Sequence, residues 1–205
     1  LPDGRSDGSG SLEISEPLPP ELTGRRFVVF NRAYGSRNII IRNCFFHNNR
    51  ARGVLLHAGS ATIENNRFFH NQAGGMQIGT GYMENFWGEG FGVDNVVIRN
   101  NVFDSVNVNS TRANGVVRDV EILTYALPEP AVPVESLTQN ILFEGNTFLN
   151  PVGAVLYASG VRNLFFRDNR IINRQHRAKE FFVRGSIVLD RVEKGVVRNN
   201  MWNLH

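Results

Sequence analysis

One motif recurs six times along the chain, and it narrows the possible folds more than any other feature. An apolar β-branched or aromatic triplet is followed by a charged residue, a polar pair and an aromatic. Two copies read Ile39-Ile40-Ile41-Arg42-Asn43-Cys44-Phe45-Phe46 and Ala61-Thr62-Ile63-Glu64-Asn65-Asn66-Arg67-Phe68. Two more are Val96-Val97-Ile98-Arg99-Asn100-Asn101-Val102-Phe103 and Ile141-Leu142-Phe143-Glu144-Gly145-Asn146-Thr147-Phe148. The last two are Leu164-Phe165-Phe166-Arg167-Asp168-Asn169-Arg170-Ile171 and Val196-Val197-Arg198-Asn199-Asn200-Met201-Trp202. A repeat at this period means that each unit buries its apolar side against its neighbours.

Aligned, the copies give a column of Cys44, Asn66, Asn101, Asn146, Asn169 and Asn200. Two places further on stands a second column: Phe46, Phe68, Phe103, Phe148, Ile171 and Trp202. Asparagine tolerates the left-handed bend of a corner, and its amide can hydrogen-bond up and down a stack. The aromatic column is expected to stack inside. The expected fold is therefore all-β, a right-handed parallel β-helix of about six coils with two long loops, spanning residues 21–205. Cys44, standing in an asparagine column, reads as a small buried hydrophobe.

A second strand follows most copies: Val54-Leu55-Leu56-His57, Met76-Gln77-Ile78-Gly79, Ala154-Val155-Leu156-Tyr157 and Ser186-Ile187-Val188-Leu189-Asp190. Val120-Glu121-Ile122-Leu123 supplies the third-coil member. Alternation points Val54, Leu56, Met76, Ile78, Leu156, Ile187 and Leu189 inward, and His57, Gln77, Glu121, Tyr157 and Asp190 toward solvent. Successive positions in the asparagine column lie 22, 35, 45, 23 and 31 residues apart. The surplus over the shortest coil falls in two loops, Thr80 to Asp94 and about Asp104 to Gln139. Residues 1–20, rich in Gly, Ser, Pro and Asp, read as a linker or N-terminal arm.

The composition sets outer limits. With 205 residues, 41% hydrophobic, the chain has the length of one domain with a real core. No run approaches the roughly 18 consecutive apolar residues of a membrane-spanning helix, so no membrane partner is expected. A net charge of +3 is too small an excess to point to nucleic acid. A single cysteine excludes a disulfide framework and a cysteine-rich zinc module. There is no HExxH, no calcium-loop spacing and no phosphate loop, since Gly88-Glu89-Gly90 precedes no helix. No cofactor or metal is therefore expected. The chain opens on Leu1 without a leader-like stretch and reads as a segment of a larger polypeptide.

The loop Thr80 to Asp94 carries the residue types that bind sugars. The apolar face of a pyranose stacks on Trp87 or Tyr82, while Glu84, Asn85, Glu89 and Gln77 meet hydroxyls. The competing reading folds Phe86, Trp87 and Phe91 back as a cap on the coils. Glu121, Tyr157 and His57, on the outward face, extend the candidate ligand-binding set, and Glu121 and Asp190 are its best carboxylates. Arg50 and Arg52 read as anion binders or as corner residues paired with neighbouring carboxylates or carbonyls.

Asn48-Asn49-Arg50-Ala51-Arg52-Gly53 before an apolar strand, then Asn85-Phe86-Trp87 leading into Val96 to Asn101, resembles the β-helix of glycoside hydrolase family 110. The resemblance runs from about Arg37 to Trp202 and matches the later coils. It implies kinship with exo-acting, inverting α-1,3-galactosidases. The adjacent Asp pair expected in that family is not found here, so no catalytic residues carry over. β-helical carbohydrate-binding modules share the architecture. The expected function is a non-catalytic module that binds a polysaccharide or oligosaccharide, with plant cell-wall xylan the first ligand to test. The expected partner is the catalytic domain of the same polypeptide, and the expected setting is secreted or at a bacterial cell surface. The alternative is a galactosidase-like hydrolase or polysaccharide lyase domain.

Overall fold

A computed structural model describes residues 13–22, 24, 35–83, 87–90, 92–108, 117–126, 137–174 and 184–204. For 81–83, 87–89, 125 and 126 it describes the backbone alone. Residues 1–30 and 31–205 separate as two units. In the first, the described residues are almost all exposed and hold a single 3-10 turn, Pro20–Leu22. No helix among the described residues is long and apolar enough to cross a membrane.

In the second unit the six repeats become six corners of a parallel solenoid. The first coil has strands β1 (Ile39–Arg42), β2 (Phe45–His47) and β3 (Val54–Leu56). The next has β4 (Ala61–Glu64), β5 (Arg67–Phe69) and β6 (Met76–Met83). A short strand, β7 (Trp87–Glu89), leads to the third coil: β8 (Val93–Arg99), β9 (Val102–Asp104) and β10 (Arg118–Ala126). The chain continues through β11 (Thr138–Glu144), β12 (Thr147–Leu149), β13 (Ala154–Arg167), β14 (Arg170–Ile172), β15 (Ile187–Arg198) and β16 (Met201–Asn203). β13 and β15 run round a corner without a break, and this merges two faces of the coil into one ten-stranded sheet. The third face is a six-stranded sheet ordered β16-β14-β12-β9-β5-β2.

The columns read from the sequence are those the register sets. Phe46, Phe68, Phe103, Phe148, Ile171 and Trp202 are direct partners from strand to strand. Phe68, Phe103 and Phe148 are fully buried, with adjacent ring centroids 4.7 and 4.9 Å apart. Each ladder asparagine from Asn66 to Asn169 hydrogen-bonds in three directions. Its Nδ2 donates to the next asparagine's Oδ1, at 3.0 Å at each step from Asn66 to Asn200. The same nitrogen donates to a carbonyl of the preceding coil, as Asn146 does to Ile98 at 2.9 Å. The backbone N–H donates to the next Oδ1, as Asn101 does to Asn146 at 3.0 Å. The corner's orphan backbone groups are thereby satisfied.

Three expectations need correction here. The left-handed bend falls one residue before the ladder asparagine, at Asn43, Asn65, Asn100, Gly145, Asp168 and Asn199, with φ between 54° and 65°. The ladder residue itself must keep its amide aimed along the stack, so its neighbour takes the turn. Cys44 is exposed, not buried. It lies on the first described coil, and among the described residues its Sγ reaches the Arg42 carbonyl at 3.2 Å. Leu189, expected inside, is 42% exposed. It does occupy the inward column, paired with buried Ala158, but no described coil covers it.

The outward column next to the ladder alternates in charge from Arg42 through Glu64, Arg99 and Glu144 to Arg167, and then ends on a second arginine, Arg198. Arg99 reaches Glu64 at 2.7 Å, and Arg167 reaches Glu144 at 2.6 Å. These pairs are partly solvated, so they help fix register and add little stability. Arg99→Ala is expected to lower stability by about 1 kcal/mol or less. That loss should shrink in high salt, as paired denaturant titrations would show.

Candidate functional site

Polar side chains that leave the core yet lie buried gather on one face, around β10. Val120 and Ile122 are fully buried in the core, so Glu121 between them points the other way. The register extends its outward column as Leu55, Gln77, Glu121, Tyr157 and Val188. Neighbouring strands stand about 4.8 Å apart, so Gln77, Glu121 and Tyr157 lie side by side. The sequence put these three on one outward face together with His57 and Asp190; the register separates them, pairing Asp190 with Ser159 in a neighbouring column.

Their exposure is another matter. Glu121 and Tyr157 were expected to face solvent, but they are only 4% and 9% exposed. Arg118, itself 4% exposed, causes part of this: its guanidinium pairs with the Glu121 carboxylate and lies 5.0 Å from the Tyr157 ring centroid. A buried carboxylate needs such a partner, and the ring face supplies a second attraction for the cation. Gln77 is half-buried and accepts a hydrogen bond from Arg52 Nε at 2.7 Å. Arg52 thus takes the corner-residue role, holding a side chain of the column. His57 is half-buried and donates through Nδ1 to the Gly79 carbonyl, so it is tied to the backbone beside the column.

Asp190 stands two strands from Glu121 and two residues along, which puts their Cα atoms about 12 Å apart. Each is engaged separately, Glu121 by Arg118 and Asp190 by Ser159 Oγ at 2.9 Å and Arg191 at 3.1 Å. Arg118 escaped the sequence reading. Its signal was an arginine at the head of β10, where the paired position at the head of β13 is Ala154.

The loop from Thr80 to Asp94 is largely not a loop. β6 runs on through Tyr82, and β7 turns back against it, pairing Tyr82 with Gly88 and Met83 with Trp87 antiparallel. Tyr82 and Trp87 therefore lie on neighbouring strands of a hairpin, described by backbone alone. Glu84, Asn85, Phe86 and Phe91 lie outside the described residues. Among the described residues no group of three or more His, Cys, Asp or Glu side chains gathers as a metal site would require.

The family model for the right handed beta helix region matches residues 31–171. The chain belongs to the right-handed β-helix family. Within this family setting, three curated relatives are α-1,3-galactosidases. The Bacteroides thetaiotaomicron α-1,3-galactosidase B is 30% identical over 192 residues, covering 92% of this chain and 30% of the relative. The Shewanella woodyi α-1,3-galactosidase A is 28% identical over 162 residues, covering 79% and 25%. The Bacteroides fragilis α-1,3-galactosidase A is 29% identical over 168 residues, covering 82% and 26%. This right-handed β-helix thus spans between 25% and 30% of the length of these relatives. It is related to these glycoside hydrolases over that part of their length.

Proposed function

We propose that this chain is a carbohydrate-recognition domain that binds a galactoside on the outward face of β6, β10 and β13. The observation that carries the reading is the Gln77–Glu121–Tyr157 column with Arg118 and Arg52. It is a set of buried or half-buried hydrogen-bonding groups aimed away from the core and fixed by ion pair and hydrogen bond. Convergent polar groups held rigidly beside an aromatic ring are what orient a sugar's hydroxyls. The relatives' names favour an α-1,3-linked galactoside over the xylan first considered.

Binding without turnover fits the way the carboxylates are engaged. An inverting glycosidase turns its acid and base toward one shared space with room for a water. Glu121 and Asp190 are instead tied to different arginines. The names of the relatives favour the second reading, hydrolysis at this same face. Calorimetric titration with α-1,3-galactobiose, with a reducing-sugar assay on the same mixture, separates the two.

The expected result is saturable binding with no product. Gln77→Ala is the reporter substitution because the side chain is half-buried and its loss leaves the core intact. It is expected to weaken binding roughly tenfold, the effect of one lost hydrogen bond to a ligand. Product release would replace recognition with hydrolysis, and unchanged affinity in Gln77→Ala would move the site elsewhere.

A further inference from the structure

On the six-stranded sheet, far from β10 in the coil's circuit, the first two coils carry an aromatic surface that the reading above leaves unused. Outward positions on β2 and β5 hold Phe45, His47, Arg67 and Phe69, and His70 follows at the corner. Phe45 is 54% exposed, and its ring stacks on His47 with centroids 4.4 Å apart. Phe69 stacks on His70 at 4.1 Å, and the two phenyl rings lie 6.4 Å apart. Arg67 sits 5.6 Å from the Phe45 centroid and 5.5 Å from that of Phe69, with its side chain 54% exposed.

This guanidinium is pinned. Its NH2 donates to Asp104 Oδ2 at 3.1 Å, while Asp104 Oδ1 accepts from Ser105 at 3.0 Å and from Asn150 at 3.3 Å. A guanidinium has five N–H donors, and this one is presented in a fixed orientation beside two flat apolar surfaces.

We propose that this surface is a second glycan contact, which takes the apolar face of a neutral pyranoside on Phe45 and Phe69 and its hydroxyls on the Arg67–Asp104 pair. Neutral sugar fits because Asp104 offsets the charge of Arg67. Two neighbouring three-residue strands offer far less than the roughly 800 Å² per partner that a stable protein interface buries, and they match the size of a sugar ring. Phe45, exposed on the outward strand face, and half-buried Phe69 beside it leave apolar area in water, which a stacked sugar would cover.

The choice of galactose as first probe rests on the reading of the β10 face; the site itself does not. The ¹⁵N-labelled chain is titrated with α-1,3-galactobiose and, separately, xylobiose at millimolar concentration. At least one sugar is expected to shift the amide resonances of residues 45–47 and 67–70 saturably, in wild type and in Gln77→Ala alike. Phe45→Ala, at an exposed ring, should keep the wild-type melting temperature and weaken those shifts about tenfold. If neither sugar moves these amides, or if Phe45→Ala binds as wild type, the second contact is wrong. Shifts here with none on β10 would overturn the β10 reading and leave this one standing.

Discussion

Asn146→Leu is expected to cost about 4 kcal/mol and lower the melting temperature by roughly 10 °C, although leucine nearly matches asparagine in shape. The side chain is fully buried, and it makes four hydrogen bonds. Oδ1 accepts from the backbone and the amide of Asn101, both at 3.0 Å. Nδ2 donates to Ile98 at 2.9 Å and to Asn169 at 3.0 Å. Each such bond contributes about 1 kcal/mol net, and stripping the partner from a buried N–H adds a desolvation cost of about 1–3 kcal/mol. The Asn101 backbone N–H is the group so stranded. Asn146→Asp tests the same ladder differently, since an ionised carboxylate accepts but cannot donate onward. Its loss should match or exceed that of leucine at neutral pH. Thermal unfolding with a change below about 1 kcal/mol in both variants would mean that the corner is held by packing alone.

Why the ladder was legible, and its turn residue was not, has a physical reason. Three copies carry an Asn-Asn doublet, so spacing alone leaves open which member bends and which stacks. Gly145 and Asp168 break the tie, because they precede Asn146 and Asn169 and sit at φ 65° and 56°. Glycine has no Cβ to oppose that conformation, and Asp tolerates it. The side on which each strand residue lies was equally legible, since alternation is a property of the backbone. What covers that side was not. Glu121 and Tyr157 lie on the outward column the sequence assigned them, yet Arg118 pairs with one and lies over the other. Leu189 lies on the inward column yet is exposed. Period-2 alternation describes one strand, and burial depends on the neighbouring coil and on side chains reaching in from elsewhere. The hairpin of β6 and β7 was missed for a related reason. Its antiparallel pairing belongs to no repeat, so the period that revealed the coils was silent there.

The aromatic column makes the second large prediction, and it connects core packing to the recognition face. Phe103→Ala should destabilise the chain by about 3–5 kcal/mol, the range for emptying a buried phenylalanine site. Phe103 is fully buried between Phe68 and Phe148, with interplanar angles of 5° and 10°, so two stacked faces are lost together. The site cannot readily collapse, because its neighbours are themselves fixed in hydrogen-bonded coils. The ring also reaches Gly75: a Cβ built there would stand 2.6 Å from Phe103 Cδ1. Gly75 leads directly into β6, two residues before Gln77, so the ring packs against the backbone that carries the recognition column. Emptying it should therefore weaken galactobiose binding on the β10 face as well as lower the melting temperature, even well below the transition. Phe103→Leu, which refills most of the space, should recover the larger part of both losses. A variant that melts early but binds as wild type would separate the aromatic stack from the face. The column of Gln77, Glu121 and Tyr157 would then be held by its own ion pair and hydrogen bonds, with no help from the core beneath.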